Sequence, residues 1–240
     1  MRLNRLSTFA LAAALALPSF AKAQTPFYFV GNSTTTLPNG VPVGPYQASL
    51  SAAKTNPFDI FCIDYDNHAQ NSWSAYVLTL DQAVTAPNFA ALTRALGVPA
   101  YNRTLDNYSA VSSTEFLRDL RATAYLSNLF GSSSTSAWTG IHGAIWSIFS
   151  QSPDFQVSDY MSKRNDAFTY ADANPGSFGD VRLLLDANAY NANYQGPLSQ
   201  VFLANIGEVK PFSVVPEPST YALFAAGLIA IGFARRRRTA

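Results

Sequence analysis

The stretch "PFDIFCIDY", Pro57 to Tyr65, places Phe58, Ile60, Cys62 and Asp64 on one side of an extended chain and Asp59, Phe61, Ile63 and Tyr65 on the other. Both sides carry apolar groups, the pattern of an interior strand covered on both faces rather than a surface strand with one wet face. Upstream, "PFYFVGN" (26–32) and "TLPNGVPVGPYQASLSA" (36–52) are short apolar or alternating runs broken by proline and glycine, and "SWSAYVLTL" (72–80) follows downstream. Such runs between turn residues read as strands, with Asn39-Gly40 as a turn.

Further along, the period changes. "PNFAALTRALG" (87–97) predicts a short helix ending near Gly97. In "SSTEFLRDLRATAYLSNLFG" (112–131), Ser112 and Glu115 have capping-box spacing, Leu117, Leu120, Ala124 and Leu129 keep one side apolar, and Gly131 stops the helix. "SAWTGIHGAIWSIFS" (136–150) sets Trp138, Ile141, Ile145 and Ile148 at helical intervals, and "VSDYMSKRNDAFTYAD" (157–172) predicts a helix capped by Ser158. "VRLLLD" (181–186) and "SQVFLAN" (199–205) read as closing strands around the Asn-rich turn "ANAYNANYQGP". The fold class is α+β: a β-rich, sandwich-like domain over 24–211 with a helical insertion at about 88–172.

Charged residues are only 13% of the 240, against 48% hydrophobic, so the chain can bury a core. The net charge of +1 hides an uneven distribution: residues 24–215 hold nine basic and fourteen acidic side chains, net −5. A mildly acidic body gives no electrostatic basis for binding nucleic acid. At the N-terminus, "MRLNRL" is positive, "STFALAAALAL" is apolar, and Ala21-Lys22-Ala23 has the small-x-small form of a cleavage site. Residues 1–23 therefore read as a signal peptide for the Sec translocon and signal peptidase, cut between Ala23 and Gln24.

The C-terminus, "VPEPSTYALFAAGLIAIGFARRRRTA" (215–240), carries no charged side chain from Tyr221 to Ala234. A helix with no polar face belongs in lipid. Residues 220–234 would span only about 22 Å of a hydrocarbon core near 30 Å, a short transmembrane anchor that snorkelling arginines extend. The positive-inside rule places Arg235, Arg236, Arg237 and Arg238 in the cytoplasm and the body outside. Pro216-Glu217-Pro218, the apolar run and the arginines, in that order, resemble the PEP-CTERM sorting signal of Gram-negative bacteria over about 212–240. The resemblance implies processing by exosortase near Pro216, Glu217 and Pro218. It also implies transient anchoring in the inner membrane, then release to the cell surface or to a biofilm's exopolysaccharide matrix.

Chemistry-bearing residues are sparse. One cysteine, Cys62, excludes an intramolecular disulfide, and as a strand residue it reads as a small buried hydrophobe. The histidines are His68 and His142; His142 lies between Trp138, Ile145 and Trp146 at helical spacing, the setting of a core histidine. "FCID" followed by "HGAIW" resembles the thioester domains of bacterial surface adhesins, a β-sandwich with a helical part. There a Cys and a Gln of a Gln-x-Ala-Ile-Trp motif form an internal thioester. Cys62 matches that Cys, but His142 stands where Gln is required, and imidazole cannot supply an acyl group, so no thioester is expected. If the fold is shared, Cys62 and His142 are neighbours, which makes them weak catalytic candidates for a Cys–His hydrolase or, with His68, metal ligands. Asp64 and Asp66 lack the EF-hand pattern and read as carboxylates facing water. Tyr101, Tyr108, Tyr190 and Tyr194, in Asn-rich stretches, could stack on sugars. The leading expectation is a non-catalytic structural or adhesive protein without cofactor or metal. A carbohydrate-binding module and a secreted Cys–His hydrolase are the alternatives.

Overall fold

The stretch Phe58–Cys62 forms a strand hydrogen-bonded along both edges, with buried apolar side chains on both faces. In the computed structural model, which describes residues 24–65, 67–96, 112–150 and 157–205, it is the third of six strands. These are β1 (Thr25–Gly31), β2 (Tyr46–Ser49), β3 (Phe58–Cys62), β4 (Ser72–Thr79), β5 (Val181–Asp186) and β6 (Phe202–Asn205). The readings of 1–23 and 212–240 lie outside the described residues, with Ala21, Ala23, Pro216, Glu217, Pro218 and Arg235 to Arg238; so do Asp66, Tyr101 and Tyr108. Among the described residues no helix is long and apolar enough to cross a membrane.

The strands close into one antiparallel barrel in the order β1-β2-β3-β6-β5-β4, rather than the expected sandwich of two sheets. Closure comes from β1 pairing with β4, Thr25 opposite Ala75 through Tyr28 opposite Ser72. Alternation along a strand shows which face is buried, but not whether a second sheet or the far wall of the same sheet buries it. Closing the sheet leaves none of the described strands with an unpaired edge.

Pairing fixes two rows of side chains. Cys62, Phe202, Leu184 and Val77 are cross-strand neighbours along the row that faces the barrel interior. There Phe27 stacks on Trp73 with centroids 5.5 Å apart, Trp73 meets Phe202 at 5.6 Å, and Tyr46 meets Phe202 at 6.3 Å. Ala48 and Ala75, both fully buried, leave room for these rings. The other row, Phe61, Leu203, Leu183 and Leu78, faces outward yet is also buried. Helices cover it.

The five α-helices among the described residues fall between β4 and β5, as a single insertion. They are α1 (Leu80–Ala83), α2 (Asn88–Ala95), α3 (Ser113–Leu129), α4 (Trp138–Phe149) and α5 (Tyr160–Ala173). The insertion starts at Leu80 rather than near 88, because Thr79 and Gln82 form a capping box directly at the end of β4. The apolar run "YVLTL" passes through this junction without a break, and so hides it. The Ser112–Glu115 capping box forms as the spacing requires: Ser112 Oγ accepts from Glu115 N at 3.2 Å and Glu115 Oε2 accepts from Ser112 N at 2.9 Å. For α5 the N-cap is Asp159, not Ser158, and it makes no side-chain cap. The Asp159 carboxylate instead pairs with Lys163 at 3.1 Å and lies against Gly140, where a Cβ would collide with it. The Asn39-Gly40 turn is present: Gly40 sits at φ +85° and its N–H donates to Leu37 O at 2.9 Å.

Between β5 and β6 the buried Asp186 carboxylate accepts from Asn188 N and from Ser199 N, each at 2.8 Å, and so ties both ends of the Asn-rich loop. Interior packing outweighs any single cap in stability. Phe202→Ala should lower the unfolding free energy by about 3–5 kcal/mol, and Ser112→Ala by about 1 kcal/mol, in urea denaturation. The reverse order would contradict the barrel interior described here.

Candidate functional site

Helix α4 carries His142 and Trp146 one turn apart, so their rings fall on the same side. They stack at 4.4 Å with planes 10° apart. Phe130, just after α3, meets the imidazole edge-on at 5.1 Å, and Tyr46 of β2 lies at 5.8 Å. His142 is fully buried in this aromatic enclosure. Its Nδ1 accepts a hydrogen bond from the Gly44 N–H at 2.8 Å. Gly44 sits at φ +104°, a conformation that favours glycine, with Trp138 where a Cβ would project. The same loop is held a second time by Tyr46, whose hydroxyl donates to Pro42 O at 2.8 Å.

An accepting Nδ1 leaves the proton of a neutral imidazole on Nε2. Nε2 meets no acceptor at hydrogen-bonding geometry among the described residues. Burial pushes the imidazole pKa down to about 3, against an opposing interaction with the Cys62 backbone. His142 is therefore neutral at physiological pH.

Cys62, at the end of β3, is fully buried, and its thiol donates to Asp64 O at 2.9 Å. Burial first, then the Asp64 charge, raise its pKa far above the usual thiol range; hydrogen bonds with the Asp64 backbone and the Trp146 side chain oppose them. The structure thus brings Cys62, His142 and Trp146 together, as a neutral thiol beside a neutral imidazole. A thiolate nucleophile needs an electropositive, partly exposed setting, and a histidine base needs a free Nε2 lone pair with Nδ1–H held by an orienting group. Here Nδ1 accepts and Nε2 carries the proton, the opposite tautomer.

The other candidates separate. His68 is exposed, whereas Cys62 and His142 are sealed. Among the described residues no three His, Cys, Asp or Glu side chains gather as a metal site. Asp64 does not face water: it is 3% exposed, its carboxylate accepts from Asn67 N at 3.3 Å and from Asn67 Nδ2, and its carbonyl also accepts from Gln200 Nε2 at 3.0 Å. The strand-end reading failed because the chain turns back at Asn67, whose amide also reaches Ala95 O at 3.0 Å. Tyr190 is used in packing: its hydroxyl donates to Asn88 Oδ1 at 2.8 Å, its ring meets Tyr76 at 4.5 Å, and burial pushes its pKa up to about 12. Tyr194 is 36% exposed. Sequence reasoning missed Gly44, Tyr46 and Phe130 as the partners of His142; only the "VGPY" turn signal marked the loop that carries two of them.

Two outcomes follow. Iodoacetamide should leave Cys62 unlabelled in the folded protein and alkylate it fully in denaturant; rapid native labelling would show an accessible thiolate. Because the folded-state pKa of His142 lies below its unfolded value, folding excludes a proton that the unfolded chain binds. The residue's contribution is therefore complete above the ordinary imidazole value near 6.5 and declines as pH falls toward 3, by about 1.4 kcal/mol per pH unit. His142→Asn, which keeps an acceptor for Gly44, should flatten that part of the stability–pH curve, measured by denaturation at stepped pH. An unchanged slope would contradict the buried neutral imidazole.

The family model of the PEP-CTERM protein-sorting motif matches residues 214–238, which supports the tail as a signal for exosortase sorting. No curated protein and no solved structure matches the chain, so the resemblance of the body to thioester domains has no support from known structures.

Proposed function

We propose that the chain is an exported protein, sorted by exosortase through its tail, whose barrel domain serves a structural or adhesive role at the cell surface or in the extracellular matrix. The observation that carries this reading is the sorting-motif match at 214–238. The apolar run and the arginines behind Pro216-Glu217-Pro218 suit a brief stay in the inner membrane before processing. Residues 1–23 supply the leader that the Sec translocon and signal peptidase would act on.

The non-catalytic half of the proposal is supported by the state of Cys62 and His142. A secreted hydrolase built on them would have to expose both, ionise the thiol and reverse the imidazole tautomer. Their packing suits a different task, holding the barrel to its helical insertion.

Mass spectrometry of the mature protein from its native host tests the export half. The expected species begins at Gln24, ends near Pro216–Pro218 and is recovered from the surface or matrix fraction. Glu217→Ala should leave the tail attached and the protein in the inner-membrane fraction. Full-length cytoplasmic protein that still carries residues 1–23 would overturn the proposal.

A further inference from the structure

Where the outer face of β3 meets the end of α3, the surface opens into a cleft of about 340 Å³. Asp59 and Phe61 line it from the barrel, Asn128, Phe130 and Trp138 from the helices, and Asn205 from the end of β6. The apolar part is built: Phe61 stacks on Phe130 with centroids 5.5 Å apart and planes 13° apart, and Trp138 stands edge-on to Phe130 at 5.9 Å. Phe130 also touches His142, so the enclosure that fixes the imidazole fixes the floor of the cleft.

The polar part is unspent. The Asp59 carboxylate and the solvent-exposed side-chain amides of Asn128 and Asn205 have no hydrogen-bond or ion-pair partner among the described residues. Together they offer a charged acceptor and two amides, each both donor and acceptor. Among the described residues no lysine, arginine or histidine lines the cleft. Its volume falls within the range of small-molecule sites, roughly 300–1,000 Å³.

We propose that this cleft binds a neutral saccharide of one or two rings. A sugar ring presents adjacent hydroxyls, each both donor and acceptor, which match a carboxylate flanked by amides. Its C–H face packs on an aromatic wall such as Trp138. Asp59, with no cation beside it among the described residues, disfavours phosphorylated sugars and uronic acids. A lone ammonium would use Asp59 and the rings but leave both amides unanswered. The proposal deepens the adhesive reading above and rests on it only for where the sugar is met; binding itself is a property of the folded barrel.

The test uses the purified full chain in mild detergent, titrated calorimetrically with neutral disaccharides of glucose, mannose, galactose and N-acetylglucosamine. Glucuronic acid and choline serve as contrasting ligands. At least one neutral sugar should bind. Asp59→Asn and Asn128→Ala should each weaken it about tenfold or more, with thermal melting confirming that both variants fold. Asn128 is exposed, so its substitution leaves the core intact. Absence of binding by every neutral sugar, binding unchanged in both variants, or binding of choline alone would overturn the proposal. These outcomes are read on purified protein, so a failure of export in the host leaves them distinguishable.

Discussion

The hydrogen bond from the Gly44 N–H to His142 Nδ1 joins the two halves of this domain. Gly44 precedes β2 of the barrel, and His142 lies within the helical insertion, 98 residues away in sequence. Around the bond, Tyr46 comes from the barrel, Trp146 from α4 and Phe130 from the turn after α3. A buried polar pair of this kind is demanding: satisfied, it fixes one arrangement, and with one partner removed the other is left dry at a cost of about 1–3 kcal/mol. The enclosure dictates the imidazole's tautomer and neutrality, the burial of Cys62 behind it, and the position of Phe130 at the floor of the nearby cleft.

The same constraint holds two residues that look reactive on paper in their neutral forms. Cysteine and histidine side by side suggest a nucleophile and its base. Their environment decides otherwise, because desolvation disfavours the charged form of each. Cys62 donates to Asp64 O and His142 accepts from Gly44, so both are engaged in holding local structure. Outside the enclosure, Asp59, Asn128 and Asn205 present polar side chains to the cleft.

Much of this fold was legible where the signal is local. The double-sided apolar pattern of Phe58 to Ile63 identified an interior strand, Ser112 and Glu115 marked the start of α3, and Asn39-Gly40 gave its turn. What stayed hidden was non-local. Nothing in β1 or β4 alone states that Thr25 lies opposite Ala75, and that pairing turns a presumed sandwich into a barrel. Asp64 resembles a solvent-facing carboxylate until Asn67 folds back over it. Thr79 could not be read as a cap because the strand before it and the helix after it share one apolar run. For the site, Cys62 and His142 were visible as types, and their proximity was expected from a resemblance. Their tautomer and charge state depend on Gly44 and Asp64 O, backbone groups that carry no signature in sequence. The tail is the converse case, since the order of its three parts is itself the signal.

Native-state hydrogen exchange of the Gly44 amide, followed by NMR, tests the central bond most directly. The account predicts that this loop amide exchanges only on global unfolding, as slowly as amides in the core of β3, and that His142→Leu releases it. Exchange at the rate of an exposed loop in the unsubstituted protein would show that the barrel and its helical insertion are not joined through His142.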